Sequence, residues 1–387
     1  MTYDKDSFLA GLSVGILLGR EYHAKYYLTF ESEDSSDFTL SVYNSTKKWN
    51  GTLYYSTDTV SWSVWNGTTI LNSNNGVLYL RGTGNTKITD YSNIGDNRWV
   101  LSTGKRIRCI GNIECLLDWE TVKSGQHPPM TASCYSYMFS GCTSLVSAPD
   151  LPATTLEGQC YDGMFYNCTS LVSAPALPAT TLANWCYRDM FRGCTSLMSA
   201  PELPATTITS RCYDGMFRDC TSLVSASALP ATALADYCYQ NMFYNCTSLA
   251  SAPDLPATTL TLYCYNLMFR GCTSLVNAPA LPATTLANGC YRNMFYGCTS
   301  LVRAPELPAT TLETECYQYM FYGCSHLKLS KSRDATYQYA YRIPTSGTGT
   351  TGYMALYQMF YNTGGTFTGT PTINTTYYTD HPPIPAT

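Results

Sequence analysis

The sequence predicts a mixed, β-rich fold: a solenoid of 26-residue units, preceded by a small β-sandwich-like domain and an N-terminal helix. Three observations lead to it: a motif that recurs every 26 residues from Cys134, short alternating runs bounded by Asn-Gly pairs before it, and an apolar run at residues 8–18. The 387-residue chain then divides into an N-terminal helix or anchor (1–25), a β domain (26–120), a linker (121–133), the solenoid (134–327) and a C-terminal cap (328–387).

The N-terminal segment holds an apolar run of about signal-peptide length, but acidic residues precede it where a signal peptide carries basic ones. The run is also too short to span a bilayer. Gly11, Gly15 and Gly19 fall four apart, which on a helix makes a smooth face for close packing. Three interpretations stay open: a helix that docks on a partner or on copies of itself, a capping helix, and an unusual export signal.

The segment 26–120 is rich in short runs of Tyr, Trp, Val and Thr, such as V-S-W-S-V-W at residues 60–65. This run alternates apolar with polar side chains, and Asn-Gly pairs follow it at 66–67 and 75–76. Alternation bounded by such turns is typical of antiparallel hairpins with one buried face. We therefore expect a small β-sandwich.

From Cys134 the chain repeats a unit close to C-Y-x-x-M-F-x-x-C-T-S-L-V-S-A-P-x-L-P-A-T-T-L-x-x-x. A unit this short cannot bury its own apolar side, so neighbouring units must stack around one core. Recurring Tyr, Met, Phe and Leu positions then become ladders, and stacked L-V-S-A segments are expected to form a parallel sheet. A degenerate copy at residues 355–360 is expected to cap the stack. Seven full units and a partial eighth begin at Cys134, Cys160, Cys186, Cys212, Cys238, Cys264, Cys290 and Cys316.

The stretch M-F-x-x-C-T-S-L, as at residues 164–171, resembles the core of the BspA-type leucine-rich repeat, in which A-F-x-x-C-x-x-L follows an L-P segment. The resemblance covers residues 134 to about 327. It implies a leucine-rich-repeat solenoid and a surface adhesin, and the array is similar to those of gut bacteria and their phages. The opening residues 3–12 are similar to the starts of phage tail-associated proteins, so we expect a virion, extracellular or cell-surface location.

Composition restricts the partners. Only 13% of residues are charged and the formal net charge is −4, whereas about 25% of residues are charged in an ordinary domain. The densest basic stretch is K-R-I-R at residues 105–108. Nucleic acid or an anionic membrane would need a larger basic footprint, so we expect neither as a partner.

Sixteen of the eighteen cysteines mark the repeats, two in each unit and eight residues apart. Three interpretations stay open: buried thiols that act as small apolar residues, disulfides, and metal or redox sites. Metal ligands must converge on one ion, whereas these ladders have no His beside them. Ala355 and Thr363 take the two Cys positions in the degenerate copy, which favours small buried side chains. We expect no metal and no cofactor.

Catalytic groups are sparse. All four histidines lie outside the seven full units, so a Ser-His or Cys-His pair within them is excluded. Glycan hydrolases use two carboxylates about 5–9 Å apart, whereas the acids before L-P-A skip alternate units and lie about 10 Å apart. We interpret this alternation as avoidance of a like-charge ladder and expect a protein that is not an enzyme. These acids are Asp150, Glu202, Asp254 and Glu306.

The variable positions carry the functional hypothesis. One row follows the Phe of each unit and a second precedes its first Cys; both are rich in Tyr, Trp and Arg, the side chains of binding hot spots. We expect them to bind a host or cell-surface glycan or protein. Two alternatives stay open: that they only solvate a poorly charged rod, and that the chain is a structural subunit of a phage tail or extracellular filament. The expected ligand-binding residues are Tyr166, Arg192, Arg218, Tyr244, Arg270, Tyr296, Tyr322, Trp185, Arg211, Tyr237 and Tyr263.

Overall fold

The computed structural model describes residues 26–45, 47–90, 98–102, 104–344, 354–373 and 375–386. The predicted N-terminal helix (1–25), with its docking, capping and export interpretations, lies outside these residues. The described chain is β-rich, as predicted, with one α-helix and a long array of tight turns.

The first part of the described chain forms two sheets. The larger has the order β4-β3-β6-β1-β8 in antiparallel pairing and the smaller the order β5-β2-β7. The Trp65 and Trp99 ring centroids lie 5.3 Å apart, and Phe30 lies 6.4 Å from Trp99, which joins the sheets through one apolar interior. The strands are β1 (Leu28–Ser32), β2 (Thr39–Val42), β3 (Thr52–Ser56), β4 (Ser63–Trp65), β5 (Leu71–Asn72), β6 (Val77–Thr83), β7 (Trp99–Leu101) and β8 (Ile107–Ile110), with a 3-10 turn at Tyr43–Ser45.

The larger sheet continues into the repeat array. Strand β8 pairs in parallel with β9 (Leu145–Ser147), the L-V-S segment of the first unit. Helix α1 (Cys115–Lys123) lies on the connection between them. It is interrupted at Asp118, whose carboxylate accepts the Thr121 N–H at 3.0 Å and so caps the second turn. The predicted domain boundary between residues 120 and 121 falls within this helix.

Each unit of the array begins with a run of tight turns over C-Y-x-x-M-F-x-x-C. Alternate backbone N–H groups donate in two directions. The Tyr213 N–H bonds the Cys238 carbonyl of the next coil at 3.0 Å, and the Met216 N–H bonds the Tyr213 carbonyl three residues back at 3.2 Å. These two sets of bonds satisfy the turn backbone and stack each coil on the next.

The inward side chains of the turns form continuous ladders. Phe217 is buried, and its ring centroid lies 5.7 Å from those of Phe191 and Phe243 in nearly parallel planes. Tyr213 stacks in the same way on Tyr239, also at 5.7 Å. Both cysteines, the methionine and the T-S-L leucine of each unit are buried beside these rings. The ladders and the interior of the sheets form one hydrophobic core.

The L-V-S-A segments differ from the predicted continuous parallel sheet. Only the first copy is a strand, and later copies make isolated bridges, such as Ser199 with Ser225. Their backbone bonds vary in length, from 3.0 Å between the Val302 N–H and the Val276 carbonyl to 3.4 Å between the Met198 N–H and the Val172 carbonyl. The prolines that follow these short segments donate no ladder bond, so pairing does not extend beyond single residues.

The far end of the array is covered by the rest of the chain. The degenerate copy adds one more coil, in which the Ala355 carbonyl accepts the Tyr317 N–H at 3.0 Å and Phe360 stacks on Phe321 at 5.5 Å. Tyr341 packs edge-on against Phe360. A four-stranded sheet of order β11-β13-β10-β12 surrounds this coil, and its strands are β10 (Lys328–Ser330), β11 (Tyr339–Arg342), β12 (Gly364–Gly365) and β13 (Thr376–Thr379).

All eighteen cysteines belong to the described residues, and all are buried free thiols. The second Cys of each unit has a specific role: the Cys194 sulfur donates to the Phe165 carbonyl of the preceding coil at 3.1 Å. The same bond recurs at 3.0–3.1 Å in each unit from Cys168 to Cys324, and in the first unit Cys142 donates to the Trp99 carbonyl instead, at 3.1 Å. Thr363, in the degenerate coil, also donates to a Phe carbonyl, that of Phe360 at 2.8 Å. The second Cys is therefore a small donor as well as a small apolar residue.

The two Cys positions should respond differently to alanine. Cys194→Ala removes a donor to the Phe165 carbonyl, which keeps only the Cys168 N–H at 3.0 Å. In the described structure the Cys186 sulfur makes no such bond. We expect Cys194→Ala to lower the free energy of unfolding by about 0.5–1.5 kcal/mol more than Cys186→Ala does. Urea unfolding measures both, and equal losses would show that both thiols only fill space.

Candidate binding face

The two predicted rows lie on one side of the array. We define the turn face as the outward side chains of residues 159–167, 185–193, 211–219, 237–245, 263–271, 289–297 and 315–323. Contacts connect the rows across this face. Arg211, from the row before Cys, donates to Asp214 at 3.0 Å, and Arg192, from the row after Phe, lies 3.6 Å from Asp189. All eleven predicted residues are half-buried, because they pack on one another.

The row after each Phe interleaves guanidinium groups with tyrosine rings. Arg192 lies 5.2 Å from the Tyr166 ring centroid. Arg270 lies 5.5 Å from the centroid of Tyr244 and 4.2 Å from that of Tyr296. Such a contact contributes about 0.5–1 kcal/mol where water reaches it. These side chains therefore hold one another in place.

This row extends further than the sequence predicted. Tyr296 stacks on Tyr322 at 4.5 Å, and Tyr322 stacks on Tyr361 of the degenerate coil at 5.1 Å. Tyr319 meets Tyr322 edge-on at 5.9 Å. The signal for Tyr361 was present in the sequence, because it follows Phe360 as Tyr322 follows Phe321. Burial and the neighbouring Tyr296 and Tyr361 raise the pKa of Tyr322.

In the row before each Cys, the contacts between side chains of neighbouring coils are less regular. Arg211 lies 4.0 Å from the Tyr237 ring centroid, and Tyr237 stacks on Tyr263 at 5.5 Å. The Tyr263 hydroxyl then reaches over Gly289 to donate to Glu315 at 3.0 Å. Trp185 has only a distant ring contact, 6.0 Å from the Arg188 guanidinium. The structure thus brings together Arg211, Tyr237 and Tyr263.

The backbone of this second row is left-handed throughout. Trp185, Arg211 and Tyr237 have φ of 61°, 55° and 59°, and Gly289 has 60°. This conformation costs a non-glycine residue about 1–2 kcal/mol, whereas glycine adopts it freely. Gly289 shows that the fold accepts glycine here. Large side chains are therefore kept here at a cost to stability, as they also are at Tyr137, Leu267 and Tyr319 within the same turns.

A buried charge network, which the sequence analysis missed, lies between the two rows. Arg188 donates two hydrogen bonds to the Asp162 carboxylate, from Nε at 3.0 Å and from Nη2 at 2.6 Å. Burial raises the pKa of Asp162 to about 7 and that of Asp214 to about 6, although arginines oppose both shifts. The signal was the order Asp162, Arg188, Asp214 at one position of successive units, which places opposite charges on neighbouring coils. The carboxylates of this network therefore balance the arginine charges in the first half of the turn face.

The network predicts that stability falls as the pH rises from about 4 to about 7. The pKa of Asp162, about 7 in the folded protein, exceeds the unfolded value of about 3.9. The folded state therefore binds this proton more tightly, and its stabilisation is complete below the unfolded pKa and lost as the pH passes the folded one. Asp162→Asn should flatten this slope in urea unfolding at pH 5 and pH 8. The exposed Glu120→Gln should keep it, and an unchanged slope in Asp162→Asn would contradict the assignment.

Comparison with protein families gives one match. A model described as "BspA type Leucine rich repeat region" matches residues 118–223 and 238–341 with 6 copies, more than half of the chain. Searches of curated proteins and of solved structures gave no match. No helix within the described residues is long and apolar enough to cross a membrane. The described part of the chain also has no cluster of three or more His, Cys, Asp or Glu side chains that would hold a metal ion.

Proposed function

The chain belongs to the BspA-type leucine-rich repeat family, and from this membership we propose that it is a surface adhesin or receptor-binding protein. It acts by binding, not by catalysis, at a cell surface or on a virion. Its ligand is a host or cell-surface glycan or protein, and the turn face is the contact surface. The array resembles those of gut bacteria and their phages, which agrees with such a location.

The main support is the left-handed row before each Cys. Bulky side chains stand where glycine would be more stable, so they serve a purpose other than folding. Tyr237 and Tyr263 stack at 5.5 Å and are held before a ligand arrives. Pre-ordered aromatic side chains lose little entropy on binding, which favours affinity.

The test is a glycan-array and host-cell binding screen with the purified chain. The variant Tyr237→Gly/Tyr263→Gly removes both rings and keeps a backbone conformation that Gly289 already adopts. We expect binding to weaken at least about 30-fold, the effect of losing a hot spot of about 2 kcal/mol. Val224→Ala/Val276→Ala, on the L-V-S-A side, should bind as the wild type does. Equal binding by both variants would exclude the turn face, and binding to no glycan or cell would contradict the function itself.

A second candidate, a structural subunit of a phage tail or filament, has its own supporting observation. An apolar stripe runs along the L-V-S-A segments, where four units have an exposed Val or Met at the same position. Lateral packing of copies would cover such a stripe. Mass measurement tests it, since a stable large assembly that Val224→Ala/Val276→Ala dissolves would favour this function. The stripe contains Val172, Met198, Val224 and Val276, which are 39%, 56%, 49% and 43% exposed.

A further inference from the structure

Arg270 differs from the other arginines of its row. Arg192 lies within 3.6 and 3.8 Å of the carboxylates of Asp189 and Asp219, and Arg218 lies 3.4 Å from Asp219. Among the described residues, Arg270 has no carboxylate within ion-pair distance. Its guanidinium lies beside two tyrosine rings. Its charge is therefore balanced by nothing within the described fold.

The sequence around Arg270 explains this. Asp219, the acid beside Arg218, directly follows that arginine in the chain, and the residue at the same place after Arg270 is Gly271. The next coil has Gly297 there, where an added Cβ would meet nothing within 4 Å. The place beside Gly297, where Arg192 has the carboxylate of Asp219, is therefore open next to Arg270, whereas at Gly271 an added Cβ would meet the Asn245 amide oxygen.

The two rings fix the orientation of the guanidinium. The ring centroids of Tyr244, on the preceding coil, and Tyr296, on the next, lie 5.5 and 4.2 Å from its central carbon, so the guanidinium stands between two rings. A planar fork of N–H donors matches a carboxylate, with which it forms two parallel bonds. Because the rings already order the side chain, little entropy is lost when the anion binds.

The surroundings favour an acidic sugar over an acidic peptide. The neighbouring coils place the Asn245 amide beside Gly271 and two phenol rings beside Arg270, and no second unpaired cation of the described row accompanies it. An isolated cation among uncharged donors and acceptors suits an isolated carboxylate among hydroxyls. A run of acidic side chains would need several cations.

We propose that Arg270 binds the carboxylate of an acidic sugar, such as a uronic or sialic acid, within the ligand of the turn face. This inference rests on the proposed function and specifies its ligand class. Arg192, Arg211 and Arg218 are neutralised by their own carboxylates and do not select the anion.

The experiment titrates D-glucuronate and N-acetylneuraminate into the ¹⁵N-labelled full chain and follows the Nε–Hε signal of Arg270, with the methyl esters of both sugars as uncharged probes. We expect saturable shifts with the free acids and at least ten-fold weaker binding of the esters. Gly297→Asp supplies, from the next coil, the carboxylate that Arg192 already has in Asp219, and it should weaken acid binding at least ten-fold while Arg270 is retained. Arg270→Lys keeps the charge without the fork and should weaken acid binding similarly. Arg333→Gln, at an exposed arginine outside the turn face, should leave acid binding unchanged.

The outcomes separate the two proposals. Absence of a shift with both acids, equal binding of acids and esters, or an unaffected Gly297→Asp that melts as the wild type does would overturn the role of Arg270. If these results occur while Tyr237→Gly/Tyr263→Gly still abolishes cell binding, the proposed function stands without this ligand class. If Arg270 binds the acids but Tyr237→Gly/Tyr263→Gly binds cells as the wild type does, the proposed function fails instead.

Discussion

Replacing Phe217 with alanine is expected to lower the free energy of unfolding by about 3–5 kcal/mol. The ring is fully buried at the middle of the array and stacks on Phe191 and Phe243, both 5.7 Å away. Its removal deletes two ring contacts, each worth about 0.5–1.5 kcal/mol beyond area, and leaves a cavity that the stacked backbone cannot close. Equilibrium urea unfolding followed by circular dichroism gives the difference.

Val224→Ala is the matched control within the same unit. Its side chain is 49% exposed on the L-V-S-A side, so the loss should stay near 0.5 kcal/mol, as for ordinary surface changes. Because each coil contacts only its neighbours, a central defect also uncouples the two halves of the stack. A Phe217→Ala protein as stable as Val224→Ala would show that the ladder does not carry the stability of the array.

Trp99→Ala is expected to have a similar effect, about 3–5 kcal/mol, at the start of the array. The Trp99 ring packs on Phe139, the first ring of the Phe ladder, with centroids 6.0 Å apart, and on Trp65 at 5.3 Å. Its carbonyl also accepts the Cys142 sulfur at 3.1 Å. The residue thus covers the open end of the ladder, and its loss exposes apolar surface. Thermal unfolding and dye binding to exposed apolar surface measure both effects.

Trp62→Ala is the control for Trp99→Ala. Trp62 is half-buried outside the core, and its ring stacks against the Arg81 guanidinium at 4.1 Å. We expect Trp62→Ala to lower the free energy of unfolding by about 1 kcal/mol and to expose no apolar surface. If both variants unfold alike and neither binds the dye, the sheets do not protect the end of the array, and the two parts of the chain are stable independently.

The repeat predicted much of the array because every ladder position is written in the sequence several times. The membership in the BspA-type family and the β-rich architecture follow from these recurring positions and are confirmed. The tight turns had a signal that was missed: the position before the second Cys is always Gly, Asn or Asp, the residues that adopt left-handed backbone most readily. The isolated bridges of the L-V-S-A segments could also have been predicted from the prolines that follow most of these segments, although a continuous sheet was expected there.

The residue types of the candidate site were predictable, but which of its arginines are paired with carboxylates was not. The variable rows of Tyr, Trp and Arg were evident from their position in the unit. Sequence separation alone did not show that Asp219 neutralises Arg218, or that Arg270 lacks such a carboxylate, because these relations depend on where side chains point across neighbouring coils.

The sequence by itself determined that this chain stacks, since a 26-residue unit with one apolar side has no other way to bury its Tyr, Met, Phe and Leu positions. Only the tertiary structure decided how the stack is closed and which charges remain free. Trp99 and the sheets cover one end through contacts made far apart along the chain. Arg270 keeps an unpaired charge because the glycines at 271 and 297 leave its open side without an acid, a consequence of packing between coils that no single unit contains.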